Sequence, residues 1–201
     1  MKRVHNNISF LLISYMLSIA IGCTTPKPHD TDGLTDNDTT KPFRLLVYGG
    51  PPDLEWQSAV NVIAHKWGIQ YYSVAGCVVT EKLVDSVDRH NKKVNERIVK
   101  KYGAGWKTAF DKEVSEEMAR QKIASLLLDK EQRITTKRNE LEKNGNGLQY
   151  LLWPTNAHTY QASIRGWGQL DGKDSYVSYF RYMVDIENKK AQLVSDSVIA
   201  E

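Results

Sequence analysis

The chain has 201 residues, 27 Lys+Arg against 24 Asp+Glu and a formal charge of +3, with 25% charged and 41% hydrophobic residues. That mixture is ordinary for a globular protein and excludes a disordered or fibrous chain. Near-balanced charge removes the case for a nucleic-acid partner, which needs a concentrated basic face. Two cysteines exclude a disulfide scaffold and an all-cysteine zinc site.

Lys2 and Arg3 open the chain, and from Ile8 to Ile21 the 14 residues are apolar or small. As a helix that run is roughly 21 Å long, against about 30 Å of bilayer hydrocarbon. It is short for a permanent span and suits the apolar region of a secretory leader. The run ends in Ala20-Ile21-Gly22-Cys23.

This ending resembles the lipobox of bacterial lipoproteins, with Ala where Leu is commoner. The resemblance implies cleavage after residue 22 and a diacylglyceryl group and an amide-linked acyl chain on Cys23. The protein would then be tethered to a membrane without spanning it, because two or more chains hold durably where one binds marginally. Thr24 stands where Asp would signal retention in the inner membrane, so the resemblance leans toward the outer membrane. Lipidation of Cys23 leaves Cys77 as the lone thiol of the mature chain.

Residues 23–42 read as the lipidated cysteine and a flexible linker. Thr24 to Pro42 holds one large aliphatic residue in 19, too few to offset the entropy of ordering. Its acids, Asp30, Asp32, Asp36 and Asp38, lack the loop spacing and bidentate Glu of a calcium site.

A single domain is expected over residues 43–201. Setting aside Lys2, Arg3, Lys27, Lys41 and the stalk aspartates leaves it 23 basic and 20 acidic residues. Phe43 to Tyr48 reads as a strand, closed by Gly49-Gly50-Pro51-Pro52-Asp53. Asp53 is placed to cap a helix in which Trp56, Ala59, Val60, Ile63 and Trp67 recur at helical spacing, and Gly68 to end it. Ile69 to Val74 is a second strand, which makes a βαβ unit with parallel strands.

Thr80 is placed to cap a second helix with Leu83, Val87, Val94, Ile98 and Tyr102 on its apolar face. A third helix is predicted from about Lys107 to Lys143, ended by Asn144-Gly145-Asn146-Gly147. Four strands follow: Leu148–Trp153, Thr159–Gln169, Ser175–Ile186 and Ala191–Ile199. Tyr160, Ala162 and Ile164 share one face, as do Tyr176, Phe180, Tyr182, Val184 and Ile186. Joining those sets calls for a three-residue Leu170-Asp171-Gly172 loop, with Ala162 opposite Phe180 and Gln169 opposite Lys173. The expected class is α+β: a βαβ element, long helices, and a C-terminal antiparallel meander with helices packed on one face.

Chemistry has few candidates. Cys77 follows a strand, where open sheets bind ligands, and His65, His90 and His158 are candidate bases. Against a nucleophile, no cysteine-hydrolase signature surrounds it, and Val78-Val79 points to a buried cysteine. Gly49-Gly50 reads as a tight turn rather than an anion cradle, since the two prolines remove donors. The histidines form no short metal-binding pair, and no cofactor or metal is indicated. Glu113, Glu116 and Glu117 read as a solvated helix face.

Arg165, Trp167, Tyr179 and Arg181 fall on alternating positions opposite the core residues of their strands. Aromatic residues mixed with Arg are what protein-binding and glycan-binding surfaces use. The alternative is that a helix covers this second face. From Phe43 the sequence is similar in style to uncharacterised lipoproteins of Gram-negative bacteria. Three functions remain open: a lipid-anchored envelope binding module with a protein or glycan partner, an envelope hydrolase or transferase using Cys77, and an immunity-type inhibitor.

Overall fold

The computed structural model describes residues 41–50 and 53–200, so the leader, Cys23 and the stalk up to residue 40 lie outside the described residues. Strand β1 (Phe43–Tyr48), helix α1 (Leu54–Trp67) and strand β2 (Ile69–Ala75) come first. Asp53 Oδ1 accepts the Glu55 N–H at 2.8 Å, and Gly68 closes the helix at φ 64°. These are the two ends that the sequence marks. β1 and β2 pair in parallel, Phe43 opposite Ile69 through Val47 opposite Ser73.

Helix α2 (Glu81–Tyr102) starts at Thr80, whose Oγ1 accepts the Leu83 N–H at 3.3 Å. It closes the open side of β1 with a side chain in place of a strand. Asn91 Oδ1 accepts the Leu46 N–H at 2.9 Å, and Asn91 Nδ2 donates to the Leu46 carbonyl at 2.8 Å. An edge capped in this way offers no template to another chain at that point.

The predicted third helix is two helices, α3 (Trp106–Leu128) and α4 (Gln132–Glu142). Nothing in Asp129-Lys130-Glu131 breaks a helix by propensity. The break comes from tertiary structure, because α4 must turn back for Ile134 and Leu141 to enter the same core as Leu127 and Leu128. Tyr150 fixes the corner by donating its hydroxyl to Asp129 Oδ1 at 2.6 Å, and Arg138 reaches both. That core is completed by a four-stranded antiparallel sheet of β3 (Gln149–Pro154), β4 (Thr159–Leu170), β5 (Lys173–Asp185) and β6 (Lys190–Ala200), in that order. The fold is α+β as expected.

The β4–β5 connection corrects the predicted register. The loop has two residues, Asp171 at φ 52° and Gly172 at φ 73°, so Leu170 pairs with Lys173 and Gln169 with Asp174. These dihedral angles are the left-handed pair that an Asp-Gly hairpin prefers. A bulge reconciles this turn with the apolar pattern. The register shifts by one residue between Ile164 and Arg165, and β5 carries Tyr179 as the extra residue. Ala162 therefore lies opposite Tyr182, not Phe180, and Ile164 lies opposite Phe180, so the two apolar sets, without Tyr176, share a face.

Beyond the bulge Val177 enters the core and Tyr176 leaves it. Gly166 and Gly168 of β4 leave no room for a side chain, since a Cβ would stand 2.8 Å from the Gly147 carbonyl oxygen at the first and closer still to the Tyr179 hydroxyl at the second.

Two hydrophobic cores result. One gathers Phe43, Ala59, Val60, Ile63, Ile69, Val94 and Ile98 with Trp106, Phe110 and Val114 of α3. The other gathers Ala124, Leu127 and Leu128 of α3 with α4 and the sheet. Between them on the same helix lie Glu117 and Gln121, 2% and 6% exposed. Glu117 is thus buried rather than on a solvated face. Its spacing shows why: 110, 114, 117, 121, 124 and 128 form one stripe, and two members of it are polar.

Four hydrogen-bonding groups compensate the buried carboxylate. Gln121 Nε2 donates to Oε1 at 2.9 Å, and the fully buried Tyr160 hydroxyl donates at 3.1 Å. Arg120 donates to Oε2 from its terminal nitrogen at 2.7 Å and from Nε at 3.1 Å. Burial, then the Glu117 charge, push the Tyr160 phenol up to about 12, so it remains a protonated donor.

Replacing Glu117 by Ala is expected to lower unfolding free energy by about 2–3 kcal/mol, since it orphans several buried donors. Replacing the exposed neighbour Glu116 should change it by less than about 0.5 kcal/mol. Urea unfolding of both variants checks this, and equal midpoints would contradict the placement of Glu117.

Candidate functional site

Helices α3 and α4 cover one face of the C-terminal sheet, and the strand register lays out the other in rows. Trp153, Gln161, Met183 and Gln192 form one row, and Leu151, Ser163, Arg181 and Ser195 the next. Gln149, Arg165, Ser178 and Ile199 follow, then Trp167 and Tyr176. Trp167 is 54% exposed, Trp153 is 40% exposed, and Arg181 is exposed.

Local contacts set the shape of this face. Trp167 and Tyr176 meet edge to face with ring centroids 5.8 Å apart, and Tyr176 donates its hydroxyl to Gln149 Oε1. Arg165 Nε donates to Ser163 Oγ at 3.2 Å, and Ser163 Oγ lies 2.7 Å from Ser178 Oγ. Those contacts hold the Arg165 side chain across its neighbours. His65 of α1 sets its ring against Trp153, with centroids 5.4 Å apart.

Charge on these rows has one sign. Arg165 and Arg181 are the charged residues, and no acid stands among the described residues of the rows. The nearest acids by register lie at the two ends. Asp174 is bonded to Gln169. Asp185 accepts the Asn188 side-chain amide and the N–H groups of Asn188 and Glu187, which hold its carboxyl below the usual range.

Three of the four residues singled out by alternation, Arg165, Trp167 and Arg181, share this face. Tyr179 does not. The bulge turns it into the core, where it is 6% exposed, its hydroxyl donates to the Trp167 carbonyl at 2.7 Å and Lys137 lies over its ring. Trp153 and Tyr176 belong to the face and were missed. Trp153 was legible, since Tyr150 and Leu152 point inward on either side of Leu151. Tyr176 was hidden by the register shift.

Cys77 is exposed rather than buried, and Val78 beside it is 90% exposed, so that expectation is corrected. Two adjacent valines signal burial only within an element, and these lie in the connection from β2 to α2. Two of the candidate bases make ring contacts elsewhere, and the third lies in a turn. His65 rests on Trp153, and His90 Nε2 lies 3.0 Å from the Arg44 carbonyl. His158 sits in the β3–β4 turn, its backbone N–H bonded to Asn156 Oδ1 at 2.9 Å. His65 precedes β2 and Cys77 follows it, a separation of about 20 Å at strand rise.

At the other candidate turn, Gly49 at φ 110° spends its N–H on the Gly76 carbonyl, which removes a donor from any anion cradle there. Glu113 accepts from Lys66 at 2.8 Å and from Trp67 Nε1 at 3.1 Å. Burial raises its carboxyl pKa, but these bonds and the Lys66 and Arg120 charges outweigh that and leave it lowered. A cleft of about 520 Å³ lies between α4 and the β5–β6 pair. Its charges are paired within it, Arg133 with Asp196 and Lys137 with Glu140.

Among the described residues no group of His, Cys, Asp and Glu is arranged to hold a metal, and no helix is long and apolar enough to cross a membrane. The chain matches no protein-family model, no curated protein and no solved structure.

Cys77 of the folded mature chain is expected to react with a maleimide at a rate within about threefold of the unfolded chain, as an exposed thiol does. A rate orders of magnitude slower would place it inside the fold and contradict this assignment.

Proposed function

We propose that the chain is a lipid-anchored cell-envelope protein of the outer membrane that works by recognition, binding a partner protein through the open face of its C-terminal sheet. The supporting observation is the row arrangement: Arg165 and Arg181 between Trp153, Trp167 and Tyr176, with no acid among them. Trp, Tyr and Arg are the residues on which binding energy concentrates at protein interfaces. Charge of one sign selects a partner that presents acidic groups and repels one that presents cations.

The Cys23 lipobox resemblance supplies the anchor, and residues 24–42 supply the reach. Catalysis by Cys77 is the weaker reading, since the His65 ring rests on Trp153 and the His90 ring on the Arg44 carbonyl.

Capture from detergent-solubilised envelope tests the reading, with parent chain and an Arg165→Gln, Arg181→Gln double variant as bait. The parent should retain one stoichiometric protein, and the variant at least about tenfold less of it. Equal retention by both, or retention of a glycan in place of a protein, would contradict it. Mass spectrometry of the mature chain should find fatty acid on Cys23, and an unmodified Cys23 would remove the anchor.

A further inference from the structure

We propose that the C-terminal half of α2 is a second, electrostatic membrane contact, which lays the domain on a bilayer surface rich in anionic phospholipid. The proposal rests on the lipid-anchor reading above and adds to it the side of the domain that meets the membrane.

Between residues 89 and 101, α2 carries six cations, Arg89, Lys92, Lys93, Arg97, Lys100 and Lys101, and one acid, Glu96. At about 100° per residue, the first five of these cations fall within an arc of about 140°. The buried residues Val87, Val94 and Ile98 lie opposite that arc and hold the other side of the helix in the core. Lys92, Lys93, Lys100 and Lys101 are exposed. A cationic face fixed in this way on a packed helix is what attracts an anionic lipid surface.

The position of the cluster ties it to the tether. The Arg97 guanidinium lies 5.4 Å from the Phe43 ring centroid, and Lys101 Nζ lies 5.3 Å from it. Phe43 is where the domain begins after the nineteen residues that follow Cys23. The lipid tether therefore enters the fold beside the cationic end of α2.

Nineteen residues limit the distance from Cys23 to Phe43 to at most about 70 Å. A domain held within that distance meets the surface repeatedly. A weak surface attraction becomes effective under such tethering, because each rebinding is intramolecular. A tether that entered at the far end of α2 would give the cations no such advantage.

Lysine acylation on the full lipidated chain in vesicles tests the inference, with mass spectrometry giving the rate at each site. The vesicles are either zwitterionic or contain about 30 mol% phosphatidylglycerol. In the anionic vesicles, Lys92, Lys93 and Lys100 should react about fivefold more slowly, and about 0.5 M NaCl should restore the rate. Lys173 and Lys190, on the C-terminal sheet, should react alike in both.

Equal rates in the two vesicles, or equal slowing of Lys173 and Lys190, would overturn the proposal. Failure of the chain to float with zwitterionic vesicles would sink the lipid anchor instead. Those outcomes are distinguishable, since flotation is scored before acylation.

Discussion

The Glu117 carboxylate accepts hydrogen bonds from Arg120, Gln121 and Tyr160, and through Tyr160 it ties the middle of α3 to the second strand of the C-terminal sheet. The two hydrophobic cores meet on either side of this point. N-terminal to it α3 belongs to the core of the βαβ unit, and C-terminal to it α3 belongs to the core of the sheet. An apolar pair would join the cores without fixing register. Arg120 and Gln121 reach the carboxylate from its own helix, and the buried Tyr160 hydroxyl is the donor that favours one alignment of helix against strand.

That constraint positions the open face. With α3 held against the sheet and α4 fixed by the Asp129–Arg138–Tyr150 corner, the inner face is covered except at the cleft between α4 and the β5–β6 pair. The outer face keeps its aromatic and arginine rows. Gly166 and the Tyr179 bulge belong to the same fit, since they let Gly147 and the Tyr179 ring close on β4. The bulge also decides which residues of β5 look outward, and so sets the composition of the candidate surface.

The parts of the fold that the sequence discloses are those with local causes. Asp53, Gly68 and Thr80 carry side-chain or backbone chemistry that ends a helix wherever they occur, so the βαβ unit and the start of α2 are legible. The break between α3 and α4 is not, because Asp129-Lys130-Glu131 would continue a helix and only the sheet beneath requires the turn.

Strict alternation calls for a three-residue β4–β5 loop, whereas Asp171-Gly172 forms a two-residue turn. A bulge lets both hold. The same bulge explains why Arg165, Trp167 and Arg181 were found while Tyr179 was misplaced and Tyr176 overlooked. The type of Glu117 points to the surface, whereas its spacing from Phe110, Val114 and Leu128 places it inside.

The account holds that the clasp at Glu117 makes two cores into one cooperative body. Native-state hydrogen exchange measures this directly, by comparing the slowest amides of α1 near Val60 and Ile63 with those of the sheet near Ile164 and Tyr182. The account predicts one opening free energy for both groups. Two free energies separated by more than about 1 kcal/mol would show cores that open independently, and would contradict it.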